Sequence, residues 1–168
     1  LARLADWLSA KNFPYQEPLN SVGMALVRAI LAHLYLAWIH PFGDGNGRTA
    51  RLVEFQILCA SGVPAPAAHL LSNFYNETRV EYYRQLDYAS KSGGDVFKFL
   101  LYAVQGFRDG LHEQIVRVRV QQLEVMWHNY IYTQMGKVGD TASVHRQRNL
   151  VLDLSKRDEA LPLNKLRS

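Results

Sequence analysis

Residues His40–Arg51 read HPFGDGNGRTAR, and this run constrains the fold more than any other part of the chain. Val22, Leu26, Ile30, Leu34 and Trp38 lead into it at helical spacing, and much of that segment's remainder is apolar too. A helix apolar on most sides is a buried central helix. A second apolar helix is expected from about Arg48 to Ser61, stopping at Gly62. Pro41 and the glycine cluster end the first helix, so the run is a loop clamped between two rigid elements. Chemically active side chains are commonly held this way.

The rest of the pattern is helical as well, which predicts an all-α fold. Leu1, Leu4, Ala5 and Leu8 share one helix face, and Pro14 and Pro18 make 10–19 a loop. Asn20 or Ser21 can cap the central helix. Val63–Ser72 holds two prolines and reads as a loop, and Glu77–Ser92 reads as a helix broken by Gly93–Gly94. Asp95 can cap a long pattern reaching Met135, as one helix or as two with a kink near Gly106 and Gly110. Gly136–Asp140 reads as a linker and Thr141–Leu154 as a further helix, followed by SKRDE and LPLNKLRS. No segment alternates convincingly as a strand does.

Length and composition set outer limits. The 168 residues allow one domain and a small appendage, and 48% hydrophobic with 20% charged residues is enough for a sizeable core. No window approaches 18 uninterrupted apolar residues, so no membrane span is expected. Cys59 is the only cysteine, which rules out an internal disulfide and suits a reducing cytoplasm; within ILCASG it reads as a small core residue. The net charge of +4 is concentrated at the end: residues 137–168 carry seven Lys/Arg against four Asp/Glu. That tail is a weak pointer to an anionic partner such as DNA.

Within the loop, each residue type has a use in phosphate chemistry. Histidine titrates near neutral pH, so His40 can serve as a general base; taken alone it could equally be a helix-end histidine bonding a free carbonyl. Asp44 is the loop's one carboxylate and matches Mg²⁺, which takes one or two carboxylates plus phosphate oxygens and water. It could also be a turn-forming Asp before Gly. Gly45, Asn46 and Gly47 let backbone N–H groups approach an anion, and the Asn46 side chain can add a donor. Arg48 and Arg51 lie in the first turn of a helix, where positive charge opposes the helix dipole unless an anion is close. There is no GK[ST] of a P-loop and no strand preceding a Rossmann turn. His33, two turns before His40, reads as a packed, hydrogen-bonded core histidine.

The run resembles the signature of the Fic domain family, H-x-F-x-D/E-G-N-G-R-x-x-R, at His40, Phe42, Asp44, Gly45, Asn46, Gly47, Arg48 and Arg51. The resemblance covers roughly residues 4–110. It implies an all-helical bundle with the catalytic loop between two central helices, and an enzyme that moves AMP from ATP onto a Ser, Thr or Tyr hydroxyl of a target protein, releasing pyrophosphate. On this resemblance His40 activates the hydroxyl and Asp44 holds the Mg²⁺ that bridges the α- and β-phosphates. Arg48 meets the β-phosphate side, Arg51 meets the γ-phosphate, and Phe42 anchors the loop in the core. In the segment LLSNFYNETRVEYYRQL, a serine-aromatic turn before a helix resembles the family pattern, which makes Asn76, Tyr82 and Tyr83 candidates for an adenine pocket.

The expected organisation is a catalytic domain over 1–136 and, over 141–168, the incomplete start of a winged-helix or helix-turn-helix module such as many Fic proteins carry. The family's target-docking flap and inhibitory helix are not found in the sequence and are expected upstream of Leu1; Ser155–Glu159 resembles the inhibitory pattern only by coincidence. Two other functions remain open: removal of AMP by the same site, and a DNA-binding regulator whose Fic body senses nucleotide. A homodimer is also open.

Overall fold

Asn20 starts the helix around which the rest is built. The computed structural model describes residues 1–13 and 20–156, and every regular element among them is helical. A short helix α1 (Ala2–Trp7) and a 3-10 turn (Ala10–Asn12) come first. The Pro14–Pro18 loop lies outside the described residues. Helix α2 (Ser21–Ile39) then begins with the Asn20 side chain accepting a hydrogen bond from the Gly23 N–H at 2.8 Å, the capping expected of Asn.

After the loop come α3 (Asn46–Ala60), α4 (Ala65–Ala68), α5 (Leu70–Glu77), α6 (Arg79–Lys91), α7 (Phe97–Val138) and α8 (Ala142–Ser155). Helices α2 and α3 make the most extensive helix pairing. The core gathers Ile30 and Leu34 of α2, Leu58 of α3, Leu71 and Tyr75 of α5, Tyr82 of α6, and Phe99, Ala103 and Phe107 of α7. Cys59 packs against this core, half-buried. Helix α2 is long and apolar enough to cross a membrane by length and composition. In this fold Ala29, Ile30, Ala32, His33 and Leu34 of α2 are fully buried, which accounts for its apolarity.

Three expectations need correction. The segment 63–72 is not a loop: Pro64 precedes α4, Pro66 sits in its first turn, and α5 follows at once. Proline is well suited to a helix start, where its missing N–H has no partner to lose. The expected serine-aromatic turn is likewise helix α5. Of the two alternatives for the long pattern after Asp95, the structure shows the one continuous helix, with Asp95 Oδ1 accepting from the Phe97 N–H at 3.0 Å. The third correction is to the linker expected at Gly136–Asp140: the helix runs through Gly136, and the turn comes at Gly139, whose φ is +135°.

The chain's internal contacts divide it into Leu1–Gln114 and Ile115–Ser168, a division inside α7 and upstream of the expected linker. In the second unit Ile131, Val144 and Leu152 are buried, and the Arg148 guanidinium lies over the Tyr132 ring, 4.4 Å from its centroid. Thr141 caps α8 by accepting from the Val144 N–H at 3.3 Å. The helix that would complete a helix-turn-helix, in LPLNKLRS, lies outside the described residues.

Gly106 explains how closely α7 approaches α5. A Cβ built on it would sit 2.2 Å from the Phe74 ring, a clash that only movement of the ring or helix could relieve. At Gly110 the nearest atom is the end of the Leu70 side chain, at 3.3 Å, which can give way. Gly106→Ala should therefore destabilise the protein by about 1–3 kcal/mol through overpacking, despite alanine's better helix propensity. Gly110→Ala should be near neutral or stabilising. Thermal melting of both variants checks this; equal melting temperatures would refute the close approach at Gly106.

Candidate active site

The buried face of α3 is written at every fourth residue: Asn46, Ala50, Glu54 and Leu58 are all buried. The first of these fixes the loop. Asn46 Nδ2 donates to the Phe42 carbonyl at 2.5 Å, and Asn46 Oδ1 accepts from the Phe42 N–H at 2.9 Å. The amide thus grips both backbone groups of one residue. Two expectations change here. Asn46 is 5% exposed and committed to the loop backbone, so its side chain is not spare to meet an anion. Phe42 is 44% exposed; its backbone, not its ring, is what ties down the loop.

His40 ends α2 in the left-handed region, φ 47° and ψ 55°, with its N–H bonded to the Leu36 carbonyl. Among the described residues it is the only non-glycine with positive φ. Glycine normally takes this C-terminal position, and a side chain there is under steric strain. The conformation turns the chain sharply into the loop and leaves the His40 side chain exposed. Such strain at a helix end is characteristic of functional positions.

Gly45 also adopts positive φ, +83°, and precedes α3 as its N-cap residue. Its N–H donates to Asp44 Oδ1 at 2.6 Å, and Asp44 Oδ2 pairs with Arg48 Nη2 at 2.9 Å. Both partners of that pair are well exposed, so the pairing is weak and readily displaced. The start of α3 carries no side-chain cap and no acidic residue in its first turn. Its leading N–H groups are therefore open to an anion, and the helix dipole favours one.

These features share one cavity of about 280 Å³, lined by His40, Asp44, Arg48 and Arg51 together with Gly43, Gly45, Asn46 and Gly47. Arg51 is half-buried and reaches back toward the loop: a Cβ on Gly47 would stand 3.9 Å from its Nη2. No ion pair engages Arg51 among the described residues. The arrangement offers an imidazole, one carboxylate, two guanidiniums and a bare helix end within a small open volume. That set suits binding and attack at a phosphate chain.

The three adenine-pocket candidates do not line this cavity. Tyr82 is 7% exposed, and its hydroxyl shares a hydrogen bond of 2.9 Å with His33 Nε2. It belongs to the core because the buried His33 needs a polar partner. Burial pushes its phenol up to about 12, and the charge of Arg51 pulls the other way. Tyr83 and Asn76 are exposed.

Sequence reasoning passed over Glu54, the buried carboxyl group in α3. Its Oε1 accepts from the Tyr75 hydroxyl at 3.0 Å, and its Oε2 stands 3.3 Å from His33 Nδ1. Burial, then the Glu54 charge, hold the Tyr75 phenol well above its ordinary value. The signal was present: Glu54 continues the four-residue spacing Asn46, Ala50, Leu58, which marks it as inward-facing.

The Fic/DOC family model matches residues 1–58, which include the whole loop. The chain is 37% identical to protein adenylyltransferase fic-1 of Caenorhabditis briggsae over 105 residues, 62% of this chain and 18% of that protein. Over the same length it is 36% identical to protein adenylyltransferase fic-1 of Caenorhabditis elegans, again 18% of that protein. Identity to protein adenylyltransferase Fic of Nematostella vectensis is 35% over 100 residues, 60% of this chain and 20% of that protein. The chain thus spans about a fifth of the length of these curated relatives. No solved structure matches it.

Replacing His40 by glycine removes a Cβ from a left-handed position where the imidazole packs against little. His40→Gly should raise stability by about 1 kcal/mol even though it deletes the candidate base. A higher melting temperature for the variant is the expected result; a lower one would mean the His40 side chain contributes packing of its own.

Proposed function

We propose, from the match of the Fic/DOC family model to residues 1–58, that the chain transfers AMP from ATP to a side-chain hydroxyl of a target protein. The observation that carries the proposal is the convergence of His40, Asp44, Arg48 and Arg51 on the uncapped start of α3. The names of the adenylyltransferase relatives support it.

The donor set fits Mg²⁺. Asp44 is a single exposed carboxylate, and no group of three or more His, Cys, Asp or Glu residues gathers elsewhere among the described residues. That is the ligand economy of an ion completed by phosphate oxygens and water. When bound, the ion would neutralise charge on the phosphate chain. An ion held by Asp44 would compete with the exposed Arg48–Asp44 pair, which would leave the Arg48 guanidinium available to the phosphates.

In the reaction, His40 accepts the proton of the target hydroxyl as its oxygen bonds to the α-phosphorus. The bond from the α-phosphorus to the bridging oxygen breaks, and pyrophosphate leaves. The N–H groups at the start of α3 and the Arg48 guanidinium face the charge that develops. Arg51, half-buried in the cavity lining, holds the outer phosphates. The left-handed backbone at His40 leaves its side chain exposed, where a hydroxyl on another protein can reach it.

Incubation of the chain with labelled ATP and Mg²⁺ in cell lysate should yield a labelled protein band. His40→Ala should cut that transfer by about 10²–10⁴ while leaving ATP affinity nearly unchanged. Retention of transfer to within about tenfold of the unaltered protein would remove His40 from the role of base.

Asp44→Ala should abolish the strengthening of ATP binding by Mg²⁺, since no second carboxylate stands in the loop. Calorimetric titration with and without the ion reads this directly. An undiminished Mg²⁺ effect in the variant would place the ion elsewhere.

A further inference from the structure

Helix α3 grips the α2 side of the molecule at two heights. Asn46 holds the backbone of Phe42, and Glu54, eight residues on and about 12 Å along the helix, reaches His33 of α2. These two contacts bracket the site on both strands of the helical hairpin. His40 lies between the anchored residues His33 and Phe42. Arg48 and Arg51 lie between the anchors Asn46 and Glu54.

The lower anchor is a chain of four side chains from four helices. Tyr75 of α5 bonds Glu54 of α3; Glu54 faces His33 of α2; His33 bonds Tyr82 of α6. All are buried, with His33 and Glu54 at 0% and 1% exposure. Nothing in the proposed transfer reaction uses them directly, because none lines the cavity. Yet Glu54 follows Arg51 by one helical turn on the same side of α3, and His33 precedes His40 by two turns on α2.

We propose that Glu54 is a positioning residue for the phosphate site, fixing Arg51 along its own helix and the His40 end of α2 through His33. The charge of Arg51 also reaches the Tyr82 hydroxyl at the far end of the same chain of side chains. A hydrophobic contact would pack α2 against α3 but would allow sliding along the helix axis. A carboxyl group bonded by Tyr75 of α5 on one oxygen and facing His33 of α2 at 3.3 Å with the other favours one register. The importance of that register for catalysis rests on the proposed AMP transfer; the anchoring of Arg51 does not.

The test uses the full chain, Glu54→Gln and Tyr82→Phe. Glutamine keeps the shape of Glu54 and removes its charge; phenylalanine removes one hydroxyl. Phenylglyoxal modification, followed by peptide mass spectrometry, reports Arg51 and Arg48 separately. In Glu54→Gln the Arg51 rate should rise roughly three- to thirtyfold against an unchanged Arg48 rate, the range expected when a coupled network residue is altered. In the transfer assay kcat should fall by a similar factor, with the KM for ATP rising as Arg51 loses its place.

A purely structural role would lower the melting temperature and leave the Arg51-to-Arg48 ratio of the folded protein unmoved, which would overturn the proposal. If Glu54→Gln does not fold, Tyr82→Phe carries the same expectation and the same refutation. If the unaltered chain transfers no AMP while the Arg51 ratio still responds, the proposed function fails and the anchoring stands.

Discussion

A carboxyl group shut away from water costs several kcal/mol unless it is bonded on all sides, and Glu54 is such a group. The Tyr75 hydroxyl donates to one of its oxygens, His33 Nδ1 stands 3.3 Å from the other as a charge partner, and His33 Nε2 bonds Tyr82. Those residues come from α2, α5 and α6, so four helices must reach their final places before the network closes. Removing one partner of a buried pair of this kind typically costs about 3–5 kcal/mol, because the other is left unsatisfied. The aromatic rings around it, Tyr75, Tyr82 and Phe99, pack against His33 in tilted and edge-on arrangements at centroid distances of 4.8, 5.7 and 6.2 Å. Packing closes the core, and the polar network gives it a register that apolar residues alone would leave loose.

The loop inherits that register. Six residues join α2 to α3, and both ends are locked: His40 by its left-handed conformation and Asn46 by its double grip on Phe42. Between them Gly45 supplies the positive φ needed to start α3 without a side-chain cap. The result is a loop with little freedom of its own whose polar groups nevertheless face outward. Holding charge and dipole in place before a substrate arrives is how such sites avoid reorganising during reaction.

The sequence was most legible where the chemistry is local. The run from His40 to Arg51 sits on consecutive residues, so the residues lining the cavity could be named from it almost completely. The helices around it were readable from apolar spacing and caps, with Asn20, Asp95 and Thr141 all bonding as cap residues should. Reading failed where a residue's partner is distant or where a residue type has two uses. Asn46 reads as an anion donor, but its amide serves the backbone four residues earlier. Tyr82 reads as a nucleobase platform until His33, 49 residues away, is seen to need its hydroxyl. Two prolines hid α4 and α5 because proline both breaks helices and begins them. Glu54 was hidden by its apolar neighbours, although its spacing from Asn46 and Leu58 was visible.

The electrostatics of the loop supply the last constraint. Two arginines in the first turn of α3 oppose its dipole, and no acidic residue in that turn offsets them. Asp44 relieves only Arg48, and through a pair exposed to solvent. Arg51 is half-buried without an ion pair among the described residues. A fold selected for stability alone would place a carboxylate here. The unmet positive charge has a use only if an anion with several oxygens enters, since such a group can satisfy the helix end and both guanidiniums together. A phosphate chain does this, and it then stands beside the one imidazole in the cavity. The unmet positive charge at the start of α3 is thus the feature that favours a polyanion there.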